Sequence, residues 1–156
     1  MPALPEDVAQ KLAQWRAAGW RIVFTNGVFD LLHPGHLSQL EAARAWGDVL
    51  VVGLNSDASV RLQHKGDNRP ILDQSARRRM LGALRCVDAV VLFDEATPLA
   101  LIEAVSPDVL VKGADYAGRE VVGRTHVEAR GGRVELVELV PGYSTSAIIA
   151  KIRGGV

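Results

Sequence analysis

The chain has 156 residues, 48% of them apolar, and 18 basic residues balance 18 acidic ones. That is enough for one domain with its own core, and the neutral balance argues against a broad basic surface for nucleic acid or an anionic membrane. One cysteine, Cys86, excludes an internal disulfide framework or a cysteine-rich zinc site. Residues 1–10 lack the apolar centre of a signal peptide, and no apolar stretch is long enough to cross a bilayer, so the cytoplasm is the expected location.

Leu4–Ala17 reads as a helix inside an N-terminal helical segment spanning 1–20. Arg21–Asn26 (RIVFTN) is the first expected strand, Asp48–Asn55 (DVLVVGLN) the second, Ala89–Phe93 (AVVLF) the third, Val109–Gly113 (VLVKG) the fourth and Val134–Val140 (VELVELV) the fifth. Helical spacing separates them. Most of these strands lack polar alternation, so both faces of the sheet should be covered. Alternation of such strands with helices predicts an α/β fold, a Rossmann-like doubly wound sandwich around a five-stranded parallel sheet. It should form one domain over 1–156. Asp73 can cap a helix over Gln74–Leu84, Thr97-Pro98 reads as an N-cap with proline at the first helical position, and Gly131-Gly132 can stop the helix before the fifth strand. Gln63–Pro70 (QHKGDNRP) is the least regular stretch, a polar loop between two helical ones.

The stretch after the first strand, Thr25–His36 (TNGVFDLLHPGH), holds two of the four histidines. Ligands of open parallel sheets bind where loops leave the carboxyl ends of the strands, and this stretch sits at that edge. Gly27 allows close backbone approach. Pro34-Gly35 forces a turn into a helix beginning near His36, so both imidazoles should face one space beside the free amides of a helix start, a place suited to anions. A satisfied helix start or a surface pair is an equally ordinary reading of two nearby histidines. A metal pair has less support, because His64 and His126 are isolated and no third ligand has suitable spacing. Ser144, Thr145 and Ser146 precede an apolar helical pattern after the fifth strand; one hydroxyl suffices for a cap, and three suggest a phosphate cradle. Lys65 and Arg69 lie in the polar loop and could close over a polyphosphate. Arg77-Arg78-Arg79 falls in the first turns of a helix, where cations oppose the macrodipole at a cost of a few tenths to about 1 kcal/mol each. That local conflict implies a task for at least one of them. Cys86, at a helix end among apolar residues, reads as core packing.

These residues resemble a known family. GVFDLLHPGH (27–36) looks like the signature of the HxGH nucleotidyltransferases, the cytidylyltransferase-like group related to class I aminoacyl-tRNA synthetases, and YSTSAII (143–149) looks like its second signature. NSD (55–57), NRPI (68–71), VDAVVLFDEATP (87–98), PDVLVKGADY (107–116) and VVG (121–123) are similar to the branch that adenylylates heptose 1-phosphate, so the likeness covers nearly the whole chain. The resemblance implies transfer of AMP from ATP to D-glycero-D-manno-heptose 1-phosphate, giving ADP-heptose and pyrophosphate for lipopolysaccharide. It implies Mg²⁺ carried by the ATP phosphates, with Asp30 the one protein ligand considered, a homodimer, and a separate kinase supplying the sugar phosphate, since the kinase half that many relatives carry is not in this sequence. The roles it implies are catalytic for His33, His36 and Lys65. It implies nucleotide binding for Thr25, Asn26, Gly27, Phe29, Asp30, Gly35, Arg77, Lys112, Gly113, Ser144, Thr145 and Ser146, and sugar-phosphate binding for Asn55, Asp57, Arg69, Asp115 and Tyr116. Tyr143 and Ala147 depart from residues common in that branch; neither removes a phosphate donor, but they leave the sugar and its anomer open. A cytidylyltransferase for glycerol 3-phosphate or ethanolamine phosphate, and a catalytically silent nucleotide-binding module, are the rival readings.

Overall fold

The computed structural model describes residues 3–64 and 66–154. Five strands, β1 (Ile22–Gly27), β2 (Val49–Asn55), β3 (Ala89–Phe93), β4 (Val109–Gly113) and β5 (Arg133–Val137), form one sheet in the order β3-β2-β1-β4-β5. Every pairing is parallel. The fold is the expected Rossmann-like α/β sandwich.

Strands β1 to β4 need both faces covered because their apolar residues point both ways; the edge strand β5 is only partly buried. On one face Ile22, Phe24, Val49, Val51 and Leu110 pack with Val8 and Leu12 of α1 (Glu6–Ala17), and with the helices of residues Leu99–Val105 and Arg124–Ala129. On the other, Val23, Leu50, Val52 and Val109 meet Leu40 and Ala43 of α2 (Pro34–Arg44) and Leu81 of the helix Gln74–Gly82. Each such buried side chain contributes about 1.5–3 kcal/mol of transfer free energy. The remaining helices complete the chain order: α3 (Asp57–Leu62), α4 (Gln74–Gly82), α5 (Leu99–Val105), α6 (Arg124–Ala129) and α7 (Thr145–Ile152). Among the described residues no helix is long and apolar enough to cross a membrane.

The amino end of the sheet is sealed by one repeated device. Asp48, Asp88 and Asp108 each stand immediately before a strand and accept the backbone amide of a neighbouring one, from Arg21 (2.7 Å), Leu50 (2.8 Å) and Ile22 (2.8 Å). The carboxyl end is open by construction. The chain runs outward from β1 to β3 and returns to place β4 on the other side of β1, so the order reverses between β1 and β4. β1 pairs with β2 over six residues but with β4 over only two, Val23↔Val109 and Phe24↔Leu110. Beyond Phe24 the two strands diverge, and a crevice opens at the switch point, where open α/β sheets bind ligands.

The starts of α1, β2 and β5 and both ends of β1 shift by one or two residues from the sequence reading, and four further differences have a physical cause or bear on a cap. β5 ends at Val137, not Val140: its partner β4 stops at Gly113, paired with Val137, and no ladder remains to extend the strand. The helix expected near His36 begins at Pro34. Thr97 caps nothing; Pro98 is the N-cap and α5 starts at Leu99 with no side-chain cap bond. α4 ends at Gly82 rather than Leu84. Asp73 does cap α4, accepting from the amide of Ala76 at 2.9 Å, and Gly131, with φ 83°, turns the chain after α6.

Candidate active site

A cavity of about 510 Å³ occupies the crevice. Its floor is the end of β1 and β2, Asn26, Gly27, Val28 and Asn55; one wall is the start of α2, with His33, Gly35, His36 and Gln39; the other is the end of β4 and the turn after it, Lys112, Gly113, Asp115 and Tyr116. Residues Leu139, Val140, Tyr143, Ser144 and Thr145, together with Gln63, complete it.

The histidine turn follows from local chemistry. His33, in extended conformation, is the N-cap of α2: its Nδ1 accepts from the amides of Gly35 (3.1 Å) and His36 (3.4 Å). Pro34 occupies the first helical position, where its missing N–H costs nothing. A Cβ at Gly35 would lie 2.9 Å from the His33 ring, so only glycine lets that ring fold back onto the helix start. Phe29 holds a left-handed φ of 48°. This conformation costs on the order of 1–3 kcal/mol, and its ring fills the space that a side chain at Gly27 would need, 3.0 Å from that Cβ position. The two readings of the histidines therefore apply to different atoms. Nδ1 of His33 satisfies the helix start; Nε2 is left for a ligand.

That bond also fixes the proton. With Nδ1 accepting two amides, neutral His33 carries its hydrogen on Nε2. Burial lowers its pKa. His36 is pushed down to about 4, by burial first and by the charge of His33 second, while the Leu31 carbonyl acts the other way. Its Nδ1 is buried and no hydrogen bond to it meets geometric criteria among the described residues. The imidazoles stack with centroids 3.7 Å apart and planes 23° from parallel, a contact that charge on both rings would oppose. His33 also lies 6.2 Å from the Tyr143 ring, at 15°.

Positive charge comes from the opposite wall. Lys112 is held by Asn26, its Nζ donating to Oδ1 across the divergence of β1 and β4, and it lies 5.4 Å from the centre of the Tyr116 ring. Burial lowers its pKa to about 8, and Asp115 acts in the opposite sense. The N-termini of α2 and α7 both abut the cavity, and helix starts attract anions. Ser144 spends its hydroxyl on a cap, accepting from the amide of Ala147 at 3.0 Å, and Thr145 follows on the cavity wall. The His33 Nε2–H, the Lys112 ammonium and the start of α7 make an anion site able to strengthen its bonds as charge grows.

The expected site residues divide into four groups. Asn26, Gly27, His33, Gly35, His36, Asn55, Lys112, Gly113, Asp115, Tyr116, Ser144 and Thr145 line the cavity. Thr25, Phe29, Asp30, Asp57 and Arg77 do not. Thr25 is buried and donates its hydroxyl to the carbonyl of Val111 (3.0 Å), tying β1 to β4. Arg77 is 1% exposed; it donates to the carbonyls of Val28, Asn55 and Leu72 at 2.7–2.9 Å and to the Asp57 carboxylate at 2.7 Å. Its task, and that of Asp57, is to knit the exits of β1 and β2 to α4 instead of facing a nucleotide or sugar. Arg69 and Ser146 line a neighbouring groove of about 410 Å³ between residues 66–71 and α7. Lys65 lies outside the described residues. Gln39, Gln63, Val28, Leu139, Val140 and Tyr143 line the cavity although the sequence did not single them out for it; Gln39 stands one helical turn after His36, a spacing that flags it.

Among the described residues no group of three or more His, Cys, Asp or Glu could hold a metal ion. The Asp30 carboxylate is already occupied by Arg69 and by the amides of Ile71 and Leu72. Cys86 packs against the second core cluster, and burial raises its pKa.

Comparisons with known proteins bear on the family to which the chain belongs. The family model described as Cytidylyltransferase-like matches residues 24–151. The chain is 61% identical over 148 residues to the Bifunctional protein HldE of Azorhizobium caulinodans, covering 95% of this chain and 31% of that protein. It is 57% identical over 145 residues to the protein of the same name from Citrifermentans bemidjiense, covering 93% of this chain and 30% of the other. It thus spans about 30% of the length of these curated relatives. A crystal structure of a lipopolysaccharide core biosynthesis protein from Thermoplasma volcanium superposes with a TM-score of 0.65 at 30% identity, covering 78% of this chain and 98% of that one.

Proposed function

The chain belongs to the cytidylyltransferase-like family of nucleotidyltransferases, and on that premise we propose that it transfers AMP from ATP to D-glycero-D-manno-heptose 1-phosphate, forming ADP-heptose and releasing pyrophosphate. The observation that carries the reading is the stacked His33–His36 pair beside the starts of α2 and α7 at the sheet's switch point. The likeness to proteins named HldE and to one named for lipopolysaccharide core biosynthesis supports a sugar nucleotide as product.

The chemistry suits these groups. The attacking oxygen belongs to a phosphate already ionised at neutral pH, so no protein nucleophile or strong base is required. The α-phosphorus is attacked in line and the pyrophosphate oxygen leaves. Charge then builds on oxygens that the Nε2–H of His33 reaches as a neutral donor, joined by His36 in the tautomer that carries its proton on Nε2, both gaining strength as the charge develops. Lys112 and the start of α7, with Thr145, neutralise the polyphosphate. Lys65 is proposed to assist from the polar loop. Mg²⁺ carried by ATP would supply phosphate neutralisation; Asp115 is the carboxylate that lines the cavity among the described residues. The same reading places the enzyme in the cytoplasm, where ATP is available, downstream of a kinase that makes the sugar 1-phosphate, and as a homodimer.

The test is pyrophosphate release with ATP, CTP and GTP, each crossed with both anomers of heptose 1-phosphate, glucose 1-phosphate and glycerol 3-phosphate. Release is expected only with ATP and one heptose 1-phosphate. Release with CTP and a polyol phosphate would overturn the substrate assignment, and nucleotide binding with no release from any pair would leave a silent module.

A further inference from the structure

We propose that Asp30 is a positioning residue: it latches residues 69–72, at the end of the polar loop, to the histidine turn, so that loop and turn hold one geometry. The proposal rests on reading the cavity as a nucleotidyl-transfer site. It departs from the expectation that Asp30 shapes the nucleotide pocket and that Arg69 touches substrate.

The Asp30 side chain is fully buried and the Arg69 side chain is 14% exposed. Arg69 Nε donates to Oδ2 at 2.9 Å, the amide of Ile71 reaches both oxygens at 2.8 and 3.0 Å, and the amide of Leu72 donates to Oδ1 at 2.9 Å. A carboxylate has about four acceptor sites, and these contacts take them. Asp30 therefore cannot meet a phosphate or a cation without releasing the loop.

The segment is gripped from its other side as well. Arg77 Nε donates to the carbonyl of Leu72 (2.9 Å) and its Nη1 to the carbonyl of Val28 (2.8 Å). Asp30 thus holds the amide side of Leu72 and Arg77 the carbonyl side, while Arg77 also holds the backbone two residues before Asp30. The circuit Val28–Asp30–Leu72–Arg77 closes on itself. Gln63, where the polar loop starts, lines the cavity, and His33 lies three residues beyond Asp30. One end of the loop is a wall of the site and the other is bolted to the turn that aims the imidazoles. Isolated buried charge is expensive; here the charge organises three donors that no helix or strand would satisfy.

The experiment compares D30N and R69A with the unaltered chain, following backbone hydrogen exchange and steady-state pyrophosphate release together. D30N turns an amide NH₂ toward backbone donors, so exchange at Ile71 and Leu72 should quicken about 10- to 100-fold. The turnover number should fall on the order of 100-fold, the usual cost of about 1 Å of misplacement, with KM for ATP little changed. R69A leaves Asp30 its amide partners and should move both readouts in the same direction by less; it also stands in should D30N not fold. Unchanged exchange at Ile71 and Leu72 in the folded variants would overturn the latch, and so would faster exchange with unchanged turnover. If the unaltered chain releases no pyrophosphate with any substrate pair while D30N still quickens exchange, the assigned reaction falls and the latch stands.

Discussion

Lys112 gives the sharpest solution test of the proposed site, because binding and stability should respond to pH in opposite directions. Its ammonium, with the residue 7% exposed, has its pKa lowered to about 8, chiefly by burial. At pH 7 roughly nine-tenths of the molecules carry the charge, and at pH 9 roughly one-tenth. A polyphosphate binds the charged form, so above pH 8 binding must also return the proton. ATP affinity should therefore fall about tenfold between pH 7 and pH 9, since apparent affinity scales with the competent fraction. Calorimetry in two buffers of different ionisation enthalpy should register uptake of about half a proton per nucleotide near pH 8. Stability runs the other way. Below pH 8 the lysine is charged in both folded and unfolded chains, and the desolvation cost is fully present. Between about 8 and the ordinary value of 10.5 the folded protein gives up the proton first, the unfolded chain binds more protons, and stability rises with pH. K112M should flatten both trends; the nucleotide's own titration is common to both proteins and cancels. Equal affinity at pH 7 and pH 9, or an unaltered slope in K112M, would refute the reasoning.

Two further outcomes follow from the same site. R77M strips four hydrogen bonds from a buried guanidinium and leaves Asp57 without its partner, so urea unfolding should show a loss of about 3–5 kcal/mol, a large share of a typical 5–15; a loss below about 1 kcal/mol would remove Arg77 from its structural role. H36A should lower turnover about 10²- to 10³-fold, the usual cost of one oxyanion donor, with little change in ATP affinity. Its acid behaviour gives an independent check: His36 has a folded pKa of about 4 against 6.5, the unfolded chain binds more protons in between, and stability should drop as pH falls through that window less steeply in H36A than in the unaltered chain.

How much of this was legible in the sequence depended on whether the deciding signal was local. The limits of β3 and β4 could be read from Ala89–Phe93 and Val109–Gly113, because an apolar run bounded by turn residues is all that a strand covered on both faces requires. The pattern VELVELV ran past the true end of β5, because where a strand stops depends on its partner, and β4 is distant in sequence. Gly27, His33, Gly35 and Thr145 were legible for the first reason, since turns and helix starts announce themselves within four residues. Leu139 and Val140 were not; the loop after β5 brings them to the cavity, whereas Tyr143 stood beside the expected Ser144 but was read only as a departure from the family pattern. The charged residues need a further distinction. The family resemblance implied that Asp30, Arg77 and Lys112 would all meet the nucleotide. Asp30 and Arg77 instead spend their groups within the fold, while Lys112, bonded to one side chain, still lines the cavity. Helical spacing held the clue for Arg77: it lies four residues before Leu81, and both are buried, whereas Arg78 and Arg79 are exposed. A cation on the apolar face of a helix must find acceptors inside the protein, and the carbonyls it finds here belong to the strand exits that shape the site. Burial alone does not separate these charges, since Lys112 is buried too; what differs is that Asp30 and Arg77 have their groups fully taken up by the fold, whereas Lys112 has one side-chain partner and lines the cavity.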